Sequence, residues 1–127
     1  MIVLDASAAL SALMNSGAAR SKIASEQLHA PHLIDTEIAS GLRRQVAGGT
    51  VGAEQARSMI RVWQAIGISR YAGAAMLERI WELRDNLSAY DATYVALAEE
   101  LGCELLTADR RLGRAPGIRC VVSTVPG

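Results

Sequence analysis

Met1-Ile2-Val3-Leu4-Asp5-Ala6-Ser7 and Glu104-Leu105-Leu106-Thr107-Ala108-Asp109 are two short apolar runs, each closed by an aspartate. Runs of this length, rich in Ile, Val and Leu, read as buried strands. Similar runs alternate with helical patterns along the chain, which argues for βαβ units and a parallel sheet. The spacing predicts strands near Ile2–Leu4, Leu28–Ala30, Ile66–Ser69, Glu104–Leu106 and Arg119–Val122. Helices are expected near Ser7–Met14, Ala18–Gln27, His32–Ala47, Ala53–Trp63, Tyr71–Arg84 and Tyr90–Leu101, with a short helical turn after Asp109. The expected fold class is α/β: one domain over residues 1–127, with a central parallel sheet of about five strands flanked by helices.

In such a sheet Asp5 and Asp109 leave at the carboxyl edge, where open α/β folds hold their ligands. Glu37 and Asp91 sit on helices that come after strand-like or loop segments and can reach the same edge. Carboxylates gathered there repel, by about 4 kcal/mol per close pair at an effective dielectric near 20. A positive partner is therefore needed, and hard oxygen ligands point to Mg2+ or Mn2+.

Composition narrows the setting. The chain has 127 residues, half of them apolar, with no Phe and only 4% aromatics, so its core must be built from Ala, Leu, Ile and Val. Thirteen basic residues balance thirteen acidic ones, which is not the bulk positive charge of a nucleic-acid coat. Lys22 is the only lysine; every other basic residue is Arg, the side chain suited to bidentate phosphate contact. A GC-rich genome would also write an Ala- and Arg-rich chain. No signal-peptide pattern and no membrane-length apolar run are present, and Cys103 and Cys120 lack metal-ligand spacing, so a cytoplasmic protein with buried free thiols is expected.

Each candidate residue also has a structural reading. Ser7 can cap the first helix, and Ser88 with Asp91 fits a capping box. Asp109 can open a turn. Glu37 can be solvated helix surface, although Gly41 and Arg44 share its face and suit a substrate groove. Asp35 lies roughly 200° away around that helix and complements the helix dipole. Thr107 and Asp109, two apart, face the same way in an extended segment. Met76, Ile80, Leu83 and Leu87 form one stripe that Leu77 and Trp81 widen, as expected of a helix contacted on two sides.

Together the segments Ile2 to Ser7, Pro31 through Glu37 to Arg43, Ser88 to Ala98 and Leu106 to Leu112 resemble the PIN-domain nucleases, specifically VapC-type toxins of bacterial toxin–antitoxin pairs. The resemblance implies a metal-dependent endoribonuclease with Asp5, Glu37, Asp91 and Asp109 as its catalytic acids. Asp5, Asp91 and Asp109 would hold Mg2+ or Mn2+, and Glu37 would orient or deprotonate the attacking water. Ser7 and Thr107 would support them, while Arg44, Arg110 and Arg111 would contact the RNA backbone. It also implies a homodimer, a small VapB-type antitoxin partner and no membrane association, with helices carrying Trp63, Leu77 and Trp81 as contact surfaces. The alternative is a catalytically silent PIN-fold module that binds RNA or protein. A phosphoacceptor domain or an aspartate-nucleophile phosphatase would need a late lysine that this chain lacks.

Overall fold

The computed structural model describes residues 1–127. Five parallel strands form one sheet in the order β3-β2-β1-β4-β5: β1 Ile2–Leu4, β2 Leu28–Pro31, β3 Ile68–Tyr71, β4 Glu104–Thr107 and β5 Val122–Thr124. The helices are α1 Ala6–Met14, α2 Ala18–Ser25, α3 Leu33–Ala47, α4 Ala53–Ala65, α5 Leu77–Glu82 and α6 Ala89–Leu101. This is the α/β class the alternating pattern implies. No helix is long and apolar enough to cross a membrane.

The chain builds outward from central β1 to β2 and β3, then returns to the other side of β1 for β4 and β5. The order therefore reverses between β1 and β4, and a crevice opens at the carboxyl ends of strands that part in this way. Both strands are buried along the apolar part of their ladder: Ile2, Val3 and Leu4 pair with Glu104, Leu105 and Leu106, and the Asp5 N–H donates to the Leu106 carbonyl to extend it. Burying each large aliphatic side chain contributes about 1.5–3 kcal/mol, so the register that aims Asp5 and Thr107 out of the sheet is firmly specified.

Helix α6 packs against β1, β2, β4 and α5. Every residue from Ala92 to Ala98 is buried, which its mostly small side chains permit. It ends at Gly102, whose φ of 65° allows a left-handed cap that returns its N–H to the Ala98 and Glu99 carbonyls. Helix α3 approaches α1 so closely that a Cβ on Gly41 would overlap Leu10 Cδ1. Gly41 is thus a packing glycine between two helices that both carry site residues, not the floor of a groove.

Several expected boundaries shift. Tyr71 closes β3 instead of opening a helix, because its carbonyl accepts from His32 N–H and its hydroxyl pairs with His29 Nδ1 at 2.7 Å. A 3-10 turn, Ala74–Met76, and the short α5 come next in the chain. Strand β3 starts two residues later than expected because Ile66 caps α4 through its N–H to Trp63 O. Strand β5 falls at Val122–Thr124 and not Arg119–Val122, as Arg119 N–H is drawn off to Glu99. Cys103 and Cys120 are free and half-buried rather than fully enclosed.

Candidate active site

Asp5, Ser7, Glu37, Asp91, Tyr94 and Asp109 line one cavity of about 220 Å³, together with Ala6, Leu10, Ser40 and Arg44. It opens at the β1/β4 crevice, so residues as far apart in sequence as Asp5 and Asp109 meet because the strand order reverses there.

Asp5 ends β1 and caps α1. Its Oδ1 accepts from Ala8 N–H at 2.9 Å and from the Ser7 hydroxyl at 2.7 Å, and its Oδ2 accepts from the Thr107 hydroxyl at 2.5 Å. The expected division of labour between Asp5 and Ser7 is therefore reversed: Asp5 is the cap, while Ser7 sits inside the helix. Ser7 Oγ accepts from Ala108 N–H at 2.9 Å and lies 3.2 Å from Thr107 Oγ1, stitching the end of β1 to the end of β4. Asp5 is 6% exposed, and burial pushes its carboxyl above the usual range against the three lowering hydrogen bonds, with the Asp91 charge adding to the rise.

Asp91 sits at the start of α6, where its N–H donates to the Ser88 hydroxyl at 3.1 Å, so the capping reading of Ser88 holds. Its carboxyl is raised as well, first by burial and then by Asp109. Glu37 comes in from α3 and its Oε1 accepts from the Tyr94 hydroxyl at 2.6 Å. Burial raises Glu37, the Tyr94 bond lowers it, and the Asp91 and Asp5 charges raise it further. Three carboxylates are thus held in one space with too little positive charge between them.

Asp109 is different. It accepts from Arg111 N–H at 3.0 Å, from Arg111 Nε at 3.2 Å and from Nη2 at 3.1 Å. These contacts hold its carboxyl below the usual range. Arg111 is therefore paired with Asp109, while its side chain stays largely exposed. Arg44 lines the cavity and donates to Ser40 Oγ, while Arg110 makes no ion pair or side-chain hydrogen bond and lies outside the cavity.

Asp35 does not face this space. Its Oδ1 accepts from Trp63 Nε1 at 2.8 Å and from Arg70 Nη2 at 2.9 Å, and its Oδ2 from Arg70 Nε at 2.7 Å. Trp63 is consequently core, only 3% exposed, although its helix α4 still exposes Ile60 and Val62, and Leu77 and Trp81 remain exposed on α5. Sequence reasoning missed Tyr94. It lies three residues after Asp91 on α6, one turn along the same face, and that spacing was the available signal.

The donor set is wholly carboxylate and hydroxyl oxygen, the chemistry of a hard divalent cation. No three acidic, His or Cys side chains converge closely enough to enclose an ion by themselves. Mg2+ keeps several waters and is commonly held by one or two carboxylates, so Asp5 and Asp91 would be able to hold such an ion, whereas Asp109 is already paired with Arg111.

A family model for the PIN domain matches residues 2–118. The chain is 54% identical over 126 residues to ribonuclease VapC9 of Mycobacterium tuberculosis, covering 99% of both chains. Its fold superimposes on Mycobacterium tuberculosis VapC20, described as a sarcin-ricin loop cleaving toxin, with a TM-score of 0.69 at 20% identity, covering 94% of this chain and 97% of that one. It also superimposes on VapBC2 from Rickettsia felis, solved bound to a promoter DNA fragment, with a TM-score of 0.72 at 14% identity and 98% of each chain covered. A cavity of carboxylate and hydroxyl oxygens at the β1/β4 crevice, a family model matched over residues 2–118 and majority identity to a ribonuclease agree: the chain belongs to the PIN-domain family, among the VapC ribonucleases.

Proposed function

We propose that this protein is a Mg2+- or Mn2+-dependent endoribonuclease that hydrolyses RNA phosphodiester bonds and acts as the toxin of a toxin–antitoxin pair. The carrying observation is the under-compensated cluster of Asp5, Glu37 and Asp91 in a single cavity. Asp5 and Asp91 would hold the cation, with Asp109 in reserve behind Arg111. When bound, the cation supplies charge for the phosphoryl oxygens and the leaving oxygen. Glu37 would take the proton of the attacking water, and burial together with its acidic neighbours, which raise its carboxyl, makes it a stronger base than an ordinary glutamate.

Tyr94 holds the Glu37 carboxylate in one orientation, and Ser7 and Thr107 do the same for Asp5. Arg44, on the rim, attracts the phosphate backbone. Attack in line by water leaves a 5′-phosphate and a 3′-hydroxyl. The exposed Leu77 and Trp81 on α5 offer an apolar surface to a second subunit or to a VapB-type antitoxin. The test is to express the protein briefly and map RNA 5′ ends beside an Asp91→Asn control. New 5′-phosphate ends confined to wild type are expected; identical end maps for the two proteins would overturn the proposal.

A further inference from the structure

Beside the acidic cavity lies a second, larger groove of about 580 Å³, lined by Arg110, Gly113, Arg114, Val122, Thr124, Val125 and Pro126. It runs along the carboxyl end of β5 and the 3-10 turn Leu112–Arg114, and Arg110, which lines it, directly follows Asp109, which lines the acidic cavity. Its chemistry is the reverse of its neighbour's. No acidic residue lines it, and neither the Arg110 nor the Arg114 guanidinium makes an ion pair or a hydrogen bond.

The Arg43, Arg61 and Arg119 side chains also lack a carboxylate partner, but none of them lines this groove, and several other arginines are engaged. Arg70 is spent on Asp35, Arg79 on Glu99 and Glu82, and Arg111 on Asp109. Thr124 adds a hydroxyl with no side-chain partner, and the wall it stands on is fixed, because Thr107 O accepts from Val125 N–H and Pro126 O from Ser11 Oγ. Two planar cations on one fixed wall, with no carboxylate lining the groove, suit a phosphodiester.

We propose that this groove is a phosphate-binding subsite for the RNA strand flanking the scissile bond, with Arg110 and Arg114 as its phosphate ligands. The assignment rests on the ribonuclease reading above and replaces Arg111 with Arg114 in the substrate contact. Arg44 lines the acidic cavity itself, so an RNA strand held by Arg110 and Arg114 would meet a further cation at the acids.

The experiment is fluorescence anisotropy of a labelled single-stranded RNA 12-mer with the purified full chain in EDTA, from 50 to 200 mM NaCl. Wild type is compared with Arg110→Ala/Arg114→Ala and with Arg43→Ala/Arg61→Ala, which removes two arginines that are also unpaired but lie elsewhere. The groove variant is expected to bind about tenfold more weakly, and its log–log salt slope to fall by about 0.7 per lost phosphate contact. Its melting temperature should match wild type, and its kcat/KM with Mg2+ should fall along with the binding. Equal losses in both double variants, or an unchanged slope in the groove variant, overturn the subsite while leaving the ribonuclease reading intact. A Glu-rich 12-mer peptide that binds more tightly than RNA, with the same arginine dependence, overturns it in favour of an acidic protein segment. Failure of wild type to cleave RNA with metal present defeats the ribonuclease reading and is scored separately from the binding data.

Discussion

Replacing Asp91 with Asn should stabilise the metal-free protein while destroying its activity. Asp91 is the hub of the repulsion, since its charge raises both Asp5 and Glu37 and is itself raised by Asp109. A close carboxylate pair costs about 4 kcal/mol at an effective dielectric near 20, and screening around a half-buried group cuts the sum over its neighbours to about 1–2 kcal/mol. Against this stands the favourable interaction of a carboxylate with the N-terminus of α6, about 0.3–1 kcal/mol. Asn keeps the side-chain shape, and the Ser88 cap acts on the backbone N–H, which is unchanged. The net gain of about 1 kcal/mol corresponds to a melting temperature about 3–5 °C higher for a chain of this size. Calorimetry in EDTA at pH 7.5 measures it. Adding Mg2+ should then raise the wild-type midpoint and leave the variant where it was. A variant that melts below wild type in EDTA would refute the claim that these acids are held under electrostatic strain.

Other consequences can be checked on the same material. Folded-state pKa values of Asp5, Glu37 and Asp91 lie above their unfolded values, so these groups destabilise the metal-free fold at neutral pH, and stability should rise as pH falls through those raised values. Asp35 and Asp109 have lowered values, so the stability they contribute is lost only at more acidic pH, which places the midpoint maximum on the acid side of neutrality; a maximum at or above pH 7.5 in EDTA would contradict this. Tyr94→Phe removes a hydrogen bond to a charged group, a loss of about 1.5–3 kcal/mol, and should lower cleavage tenfold or more. It should also move the acid limb of the pH–rate profile upward, because the hydroxyl holds Glu37 down; a profile that overlays wild type removes Tyr94 from any positioning role. Asp35→Ala leaves the indole N–H of buried Trp63 without its acceptor and should cost about 1–3 kcal/mol of stability, yet cleavage by the folded protein at 20 °C should stay within about twofold of wild type.

The strands and helices that place the site were legible because their local chemistry is unambiguous. Strand β1 is a continuous apolar run and β4 is centred on the apolar pair Leu105–Leu106, each with an aspartate one or two residues beyond its end, and Ser88 caps α6 as its sequence predicts. Legibility failed where a long-range partner decides the outcome. Tyr71 lies in a helix-compatible pattern, but it pairs in register with Pro31 and hydrogen-bonds His29 from a neighbouring strand. Trp63 is amphipathic and could have faced a partner, yet Asp35 satisfies its indole and lets it be buried. Among the acids, Asp35 and Glu37 are two residues apart, and only the positions of Arg70 and Tyr94, distant in sequence, show which of them turns toward the cavity. Arg110 and Arg111 are indistinguishable as neighbours in a sequence, whereas in the fold one is bound to Asp109 and the other is free.

The most direct measurement is cleavage of labelled RNA by the purified protein in EDTA and after stepwise addition of Mn2+ or Mg2+, with Asp5→Asn and Asp91→Asn beside it. Wild-type activity should be absent in EDTA and return with the metal to saturation, and neither variant should recover at any metal concentration. Undiminished wild-type cleavage in EDTA, or full metal-dependent cleavage by either variant, would contradict the assignment of the Asp5–Asp91 cavity as the catalytic metal centre.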